Sequence, residues 1–181
     1  MEGFPVAGPA AAQAANRGRM YSTRRMSTPL LQYHLVTHWK LSAPVSAVWA
    51  ELTHPEGWPQ WWKGVLAVTL LEAGDSNGVG ACRRMTWRSA LPYRLSFNMR
   101  TVRIQPRSLI EGIAEGELSG TGRWQLTRVG GGTDVRYDWI VDVTKPWMRT
   151  LNPIARPLFE WNHNIVMEWG RTGLERRVGI R

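Results

Sequence analysis

The sequence predicts an α+β domain in which a curved antiparallel sheet of about seven strands wraps around a long C-terminal helix. Three observations support this fold class. Segments of alternating polarity follow one another through the middle of the chain, separated only by short turns. The segment 145–177 has helical periodicity but more apolar surface than an ordinary surface helix buries. Eleven tryptophans in 181 residues supply enough bulk for one large core.

The predicted domain begins with one strand and two short helices. Residues 33–41 (YHLVTHWKL) are rich in β-forming side chains and precede Pro44, which suits the first turn of a helix. Apolar residues then recur at helical spacing over 45–52. A second short helix or turn covers about 55–61, where Gly and Pro interrupt the pattern. These two helices separate the first strand from the second.

Six strands follow in direct succession. They are predicted at 65–72, 81–89, 93–104, 108–114, 117–128 and 133–143. The glycine-containing segments 74–78 and 130–132 mark turns between them. Consecutive strands joined this way form an antiparallel meander, not βαβ units. One face of each strand is apolar and the other carries Arg, Asp, Ser or Thr, so one face of the sheet needs a cover.

The segment 145–177 is predicted to be that cover. When it is wound as a helix, its polar residues form one narrow strip, which consists of Glu160, Asn164, Glu168, Arg171 and Glu175. Most of the remaining circumference is apolar or small. We therefore expect the sheet to enclose this helix, with Trp161, Ile165 and Trp169 packed against it.

Composition and charge limit the functional classes. The net charge is +9, but 20 of the 23 basic residues are Arg in a chain rich in Ala, Gly, Pro and Trp, which is typical of a GC-rich genome. We therefore expect no nucleic-acid partner. The single Cys82 permits no disulfide within the chain, and no apolar run approaches the length of a membrane span. We expect a disordered tail at 1–28, a domain at 29–181, a cytoplasmic location, no stable membrane insertion, and a monomer or homodimer.

Several segments carry a family resemblance. They are APVSAVWAELTHPEGWPQWW (43–62), GVGACRRMTW (78–87), LPYRLSF (91–97), GTGRW (120–124), YDWIVDVTKPWM (137–148) and FEWNHNIVMEWG with GLERR (159–177). Together with the order of elements, they resemble the START-like or SRPBCC superfamily over residues 33–178, in its polyketide cyclase/dehydrase and lipid-transfer branch. The resemblance implies a helix-grip fold, with seven antiparallel strands around the long helix and a cavity between them.

We expect large apolar side chains and one amide to line that cavity. The predicted ligand-binding residues are Trp61, Trp62, Met85, Trp87, Tyr93, Phe97, Met99, Trp124, Trp139, Asn162 and Val166. Any one of them, taken alone, fits plain core better than a ligand contact. The cavity interpretation of the set depends on Gly120, Gly122, Gly170 and Gly173, which would leave volume unfilled between facing elements. Close backbone packing would also explain the two helical glycines.

Three polar residues are candidates for chemistry. Asn162 lies near the centre of the apolar arc of the helix, where a buried amide would orient a ligand or bind the protein itself. His163 lies at the edge of that arc, and either a general base or a structural histidine fits there. Glu117 belongs to a short acidic stretch and is a candidate acid or base, although a surface role is commoner.

No cofactor or metal is expected. His34 and His38, at i and i+4 in a strand, would stand about 13 Å apart, too far to share a metal ion. The chain has no phosphate-binding loop, nucleophile elbow or dinucleotide fingerprint.

Three functional hypotheses remain. The first is a carrier or sensor that binds a small hydrophobic ligand, aromatic or lipid-like, in the cavity. The second is a polyketide aromatase/cyclase or dehydratase-type enzyme that uses the same cavity. The third is a protein-interaction module that uses the Arg-rich outer face of the sheet.

Overall fold

A computed structural model describes residues 32–143 and 152–179 of the chain. Seven strands run in the order β1 (Gln32–Leu41), β2 (Val65–Glu72), β3 (Cys82–Arg88), β4 (Arg94–Gln105), β5 (Leu109–Gly116), β6 (Leu118–Val129) and β7 (Gly132–Val143). Between β1 and β2 lie α1 (Val45–Leu52), a 3₁₀ turn (Pro55–Gly57) and α2 (Trp58–Trp61). The long helix α3 (Asn152–Val178) follows β7. The predicted α+β helix-grip class is confirmed.

The strands form one antiparallel sheet in the order β1-β7-β6-β5-β4-β3-β2. Each strand from β2 to β7 pairs with its neighbour in sequence, and β1 closes against β7. The short helices carry the chain from one edge of the sheet to the other. The predicted meander is therefore correct, and its turns have the expected chemistry. Gly130, between β6 and β7, has a φ of 56°, and the Asp75 carboxylate accepts hydrogen bonds from the backbone N–H groups of Asn77 and Val79.

Alternation along the strands builds the core. In β7 the side chains of Val135, Trp139 and Val141 are buried, while Arg136 and Ile140 are exposed on the opposite face. The buried face meets α3, whose Met167 and Leu174 are 4% and 0% exposed. The core thus lies between the concave face of the sheet and one side of α3.

The sheet covers less of α3 than the sequence suggests. Leu158 and Trp161 are 43% and 49% exposed, so the prediction that Trp161 packs against the sheet is wrong. The open sheet encloses one side of the helix, and Trp161 projects from the other side. The start of the predicted helix, 145–151, and the predicted tail, 1–28, lie outside the described residues.

Among the described residues, no helix is both long and apolar enough to cross a bilayer.

Candidate functional site

A cavity of about 140 Å³ lies between α3 and the concave face of the sheet. We call it the helix cavity. Its aromatic and aliphatic lining is Tyr33, Leu35, Trp87, Tyr93, Leu95, Phe97, Leu118, Tyr137, Trp139, Val141, Phe159, Val166 and Met167. Its polar lining is Arg88, Ser89, Asn162 and His163. Apolar walls with a few polar groups are typical of small-molecule sites.

A second cavity of about 80 Å³ lies on the side of the short helices. We call it the tryptophan cavity, because Trp58, Trp62, Trp87 and Trp124 all line it. Trp87, Phe97 and Tyr137 line both cavities and form the partition between them. A shift of these three side chains would join the two volumes.

Ten of the eleven predicted ligand contacts lie on one of these cavities. The helix cavity includes Trp87, Tyr93, Phe97, Trp139, Asn162 and Val166, and the tryptophan cavity adds Trp62, Met85, Met99 and Trp124. Trp61 is among the lining residues of neither cavity in the described part of the chain; it is buried and stacks on Trp62. The role of these residues as ligand contacts stays a prediction.

The glycines do not create the cavities. A Cβ on Gly170 would lie 2.3 Å from the Trp62 ring, and one on Gly173 would lie 1.8 Å from the Trp61 carbonyl oxygen. On the sheet, a Cβ on Gly120 would lie 2.0 Å from the Ile140 carbonyl oxygen, and one on Gly122 would lie 2.6 Å from the Tyr137 hydroxyl. The prediction that these glycines leave unfilled volume is therefore wrong. Each permits a close approach of neighbouring elements.

Asn162 joins α3 to the loop between β3 and β4. Its Oδ1 accepts hydrogen bonds from the Ser89 hydroxyl at 2.7 Å and from the Ala90 backbone N–H at 2.8 Å. Its Nδ2 donates to the Tyr93 hydroxyl at 3.4 Å. The amide lines the helix cavity, but these bonds occupy it, so it mainly fixes the loop that forms one end of the cavity.

Asn162→Ala is expected to lower the free energy of unfolding by about 2 kcal/mol, because it leaves the Ser89 hydroxyl and the Ala90 N–H without their acceptor. Urea denaturation followed by circular dichroism measures the change. Asn164→Ala is the matched control, since Asn164 is exposed two residues further along the same helix, and it should change stability by less than about 0.5 kcal/mol. Equal effects of the two substitutions would contradict this role.

His163 contacts the first strand. Its Nε2 lies 3.1 Å from the Thr37 hydroxyl, and burial lowers its pKa from 6.5 to about 4. Burial disfavours the charged imidazolium, so the ring is neutral at pH 7. A base with so low a pKa accepts protons weakly near neutral pH.

The buried neutral His163 makes stability depend on pH. The unfolded chain binds a proton at His163 below about pH 6.5 while the folded chain does not, so stability falls as the pH falls toward 4. We expect the contribution to be about 2 kcal/mol between pH 7 and pH 5, since one pKa unit corresponds to about 1.4 kcal/mol.

The measurement compares denaturation of the wild type with that of His163→Gln at pH 7 and pH 5. Gln retains a hydrogen-bonding group for Thr37 but does not titrate, and all other titrating groups are shared by the two proteins. The wild type should lose more stability than the variant. Parallel losses in both proteins would show that His163 is not the group responsible.

Glu117 does not join the other two candidates. Its Oε2 accepts a hydrogen bond from the Ser96 backbone N–H at 2.7 Å, and in the described part of the chain it is among the lining residues of neither cavity. The three polar candidates are therefore not assembled at one point. Nor does any group of three or more His, Cys, Asp or Glu residues among those described come close enough to hold a metal ion.

Several lining residues were not singled out from the sequence. They are Tyr33, Leu35, Leu95, Leu118, Tyr137, Val141, Phe159 and Met167 on the helix cavity. Strand alternation, which places Tyr137 beside Trp139 on the inner face, is the sequence pattern that could have identified Tyr137 as a lining residue. Polarity alone could not tell an inner residue that meets a cavity from one that meets only core.

The chain matches a known family by sequence. The model of the family described as "Polyketide cyclase / dehydrase and lipid transport" matches residues 41–164. This range includes the whole lining of the tryptophan cavity, most of the lining of the helix cavity and the first part of α3. No curated protein matches the chain in sequence.

Solved structures share the fold at low identity. The di-domain ARO/CYC BexL from the BE-7585A biosynthetic pathway aligns over 85% of this chain with a TM-score of 0.68 and 18% identity; the chain spans 52% of that protein, about half its length. A START superfamily protein from Mycobacterium smegmatis gives a TM-score of 0.67 at 15% identity, with 81% of this chain and 97% of that one covered. The ZhuI aromatase/cyclase from Streptomyces sp. R1128 gives 0.65 at 16% identity, over 82% and 94%. With a family match over more than half its length and the seven-stranded helix-grip fold, the chain belongs to the polyketide cyclase/dehydrase and lipid transport family of START-like proteins.

Proposed function

We propose that this protein is a carrier or sensor that binds a small hydrophobic molecule between the sheet and α3. The observation that carries the proposal is the helix cavity, a volume of about 140 Å³ with aromatic and aliphatic walls. Family membership supports it, since the family description includes lipid transport. Burial of apolar ligand surface would provide the binding free energy.

The size of the cavity limits the ligand. An engineered cavity of about 150 Å³ in another protein holds one benzene molecule. The helix cavity is of that order, so as it stands it accommodates roughly one aromatic ring. The tryptophan cavity adds about 80 Å³ behind the partition. A two-ring aromatic ligand or a lipid chain would need the partition residues to move. We therefore favour a compact aromatic ligand over a long lipid.

A test of the proposal begins with native mass spectrometry of freshly purified protein, followed by organic extraction of any bound molecule. Thermal shifts with a panel of one-ring and two-ring aromatic compounds and short-chain lipids complete it. We expect either a co-purified small molecule or a rise in melting temperature with the compact aromatic members. No bound molecule and no shift across the panel would contradict the proposal.

A pair of variants locates the site. Val166→Phe adds a ring at a residue that lines the helix cavity, and it should abolish the shifts produced by the panel. Leu158→Phe makes a similar change at an exposed position on the same helix and should preserve them. Binding that survives Val166→Phe would place the ligand elsewhere.

An enzyme of the aromatase/cyclase or dehydratase type is the second candidate. The observation that favours it is that His163 and Asn162 lie on the helix cavity, together with the fold shared with two aromatase/cyclases. The low pKa of His163 and the occupied bonds of Asn162 argue for a passive container instead. If a substrate is found, turnover that is retained in His163→Gln would remove the candidate base.

We also propose that the outer face of the sheet binds no nucleic acid. Three arginines on the strands pair with neighbouring carboxylates: Arg100 with Glu72, Arg123 with Glu111, and Arg136 with Asp138. Such pairing reduces the number of free cations available to phosphates. A gel-shift assay with DNA and RNA at physiological salt should show no complex. A cytoplasmic location and a monomeric or homodimeric state remain part of the proposal, and gel filtration with light scattering measures the latter.

A further inference from the structure

Tyr137 stands at the partition between the two cavities. Its ring stacks on that of Trp124, its partner across β6 and β7, at a centroid distance of 4.1 Å, and it lies 5.9 Å from the Trp139 ring. The two indoles hold the phenol ring in one orientation. The position of its hydroxyl is therefore defined by the fold in the absence of a ligand.

The sheet leaves room for this hydroxyl at Gly122. A Cβ at residue 122 would stand 2.6 Å from the Tyr137 oxygen, so any side chain there would occupy its place. Gly122 itself lines the tryptophan cavity. The oxygen therefore lies against the sheet at Gly122, and the Tyr137 side chain lines both cavities.

The hydroxyl has no hydrogen-bond partner among the described residues. Two other polar groups on the cavity walls, the Tyr33 hydroxyl and the Trp87 indole N–H, are also without partners there, but protein atoms cover them completely. Tyr137 differs because its hydroxyl is not among the completely covered unpaired groups of the described residues, and its side chain lines both cavities. An unpaired donor on an open cavity wall is costly unless something binds it.

Burial raises the pKa of Tyr137, so the phenol is protonated at any physiological pH. It can then donate its proton to an acceptor oxygen and is not a phenolate base. Of the charged groups nearby, Arg83 on the tryptophan cavity already pairs with Glu56 at 2.7 Å. Arg88 lines the helix cavity, but it is exposed to solvent. An uncharged acceptor therefore suits the enclosed surroundings of the Tyr137 hydroxyl better than a carboxylate, which would lose its hydration there.

We propose that Tyr137 is the specificity-determining residue of the site and that its hydroxyl donates a hydrogen bond to a carbonyl oxygen on a compact aromatic ligand. This rests on the proposed function and deepens it, because it names the ligand class as an aromatic ketone or aldehyde. The Trp124 and Trp139 rings beside Tyr137 provide flat apolar contact for the aromatic part.

Two probes of nearly the same shape test the carbonyl requirement. Acetophenone carries a C=O group where α-methylstyrene carries C=CH₂. Calorimetric titration gives the Kd of each probe for the wild type and for Tyr137→Phe, which keeps the ring and removes only the hydroxyl. Within one protein, the ratio of the two Kd values depends partly on how differently water hydrates the two probes. Comparing this ratio between the proteins cancels that difference.

We expect Tyr137→Phe to weaken binding of acetophenone relative to α-methylstyrene by about five- to tenfold, the effect of losing one net hydrogen bond. Without ligand, the melting temperature of Tyr137→Phe should equal or exceed that of the wild type, since the deleted hydroxyl has no partner to lose. Circular dichroism checks the fold of the variant.

The remaining outcomes distinguish the role of Tyr137 from the proposed ligand-binding function. Binding of both probes with the same ratio in both proteins overturns the role of Tyr137 and leaves the container function standing. A ratio that shifts in Tyr33→Phe but not in Tyr137→Phe also overturns it, by assigning the donor to the other hydroxyl. Failure of the wild type to bind either probe contradicts the proposed function itself, and the carbonyl requirement with it.

Discussion

Trp62→Ala is expected to lower the free energy of unfolding by about 3–5 kcal/mol, the range for removing a large buried aromatic side chain. Trp62 is 1% exposed and lies at the centre of the tryptophan cluster. Its ring contacts those of Trp39, Trp58, Trp61, Trp87 and Trp124 at centroid distances between 5.1 and 6.1 Å. Its indole N–H also donates to the Val166 carbonyl oxygen at 2.8 Å, which ties α2 to α3. Both the packing and this bond would be lost.

Guanidinium denaturation followed by far-ultraviolet circular dichroism measures the loss, because tryptophan fluorescence changes with the substitution itself. Trp161→Ala is the matched control: the same side chain is removed from α3 at a position that is 49% exposed, and less than about 1 kcal/mol should be lost. Trp62→Phe, which keeps a ring but removes the N–H, should lose an intermediate amount. Similar losses at positions 62 and 161 would contradict the assignment of Trp62 to the centre of the core.

The sheet could be predicted from the sequence because each strand and turn is indicated by residues close together in the chain. In β7, Val135, Tyr137, Trp139 and Val141 alternate with polar residues, and glycines mark the turn before it. Each strand repeats such a signal, and short turns leave antiparallel pairing as the simple connection. The predicted boundaries agree with the strands to within one or two residues for this reason.

The side of α3 that faces the sheet was predicted less well. Helical periodicity showed a wide apolar surface but not which part of it the sheet covers. Asn162 is buried, as its place at the centre of the apolar arc indicated, but Trp161, which was expected to pack against the sheet, is half-exposed. The reason is tertiary: the loop between β3 and β4 supplies the Ser89 and Ala90 donors that satisfy the amide. A partner that lies 72 or 73 positions away leaves no local pattern.

The candidate site illustrates the same limit. Large inner-face residues were found by alternation, but the volumes between them depend on how the rings pack. Tyr137 lies on the predicted inner face, and only the structure shows that its hydroxyl lies over Gly122 without a hydrogen-bond partner among the described residues. The glycines were interpreted as space, whereas in the structure each one is a point of contact.

Gly173→Ala is expected to lower the free energy of unfolding by about 3 kcal/mol and the melting temperature by roughly 6–12 °C, although alanine favours helices over glycine by about 1 kcal/mol. The new Cβ would stand 1.8 Å from the Trp61 carbonyl oxygen, an obstacle in the backbone that no side-chain rotation removes. To admit the methyl group, α3 must separate from α2. That movement would also strain the hydrogen bond from Trp62 to Val166.

Gly57→Ala is the control, since a Cβ there has nothing within 4 Å and the backbone is compatible with alanine. It should be neutral or stabilise the protein by up to about 1 kcal/mol. Calorimetry gives the melting temperature of both variants. The comparison therefore separates the effect of replacing a flexible glycine from the effect of placing a methyl group in a close contact. If Gly173→Ala were as stable as the wild type, α2 and α3 could not be in the close contact seen here. The tryptophan cluster, and with it the wall of the tryptophan cavity, depends on that contact.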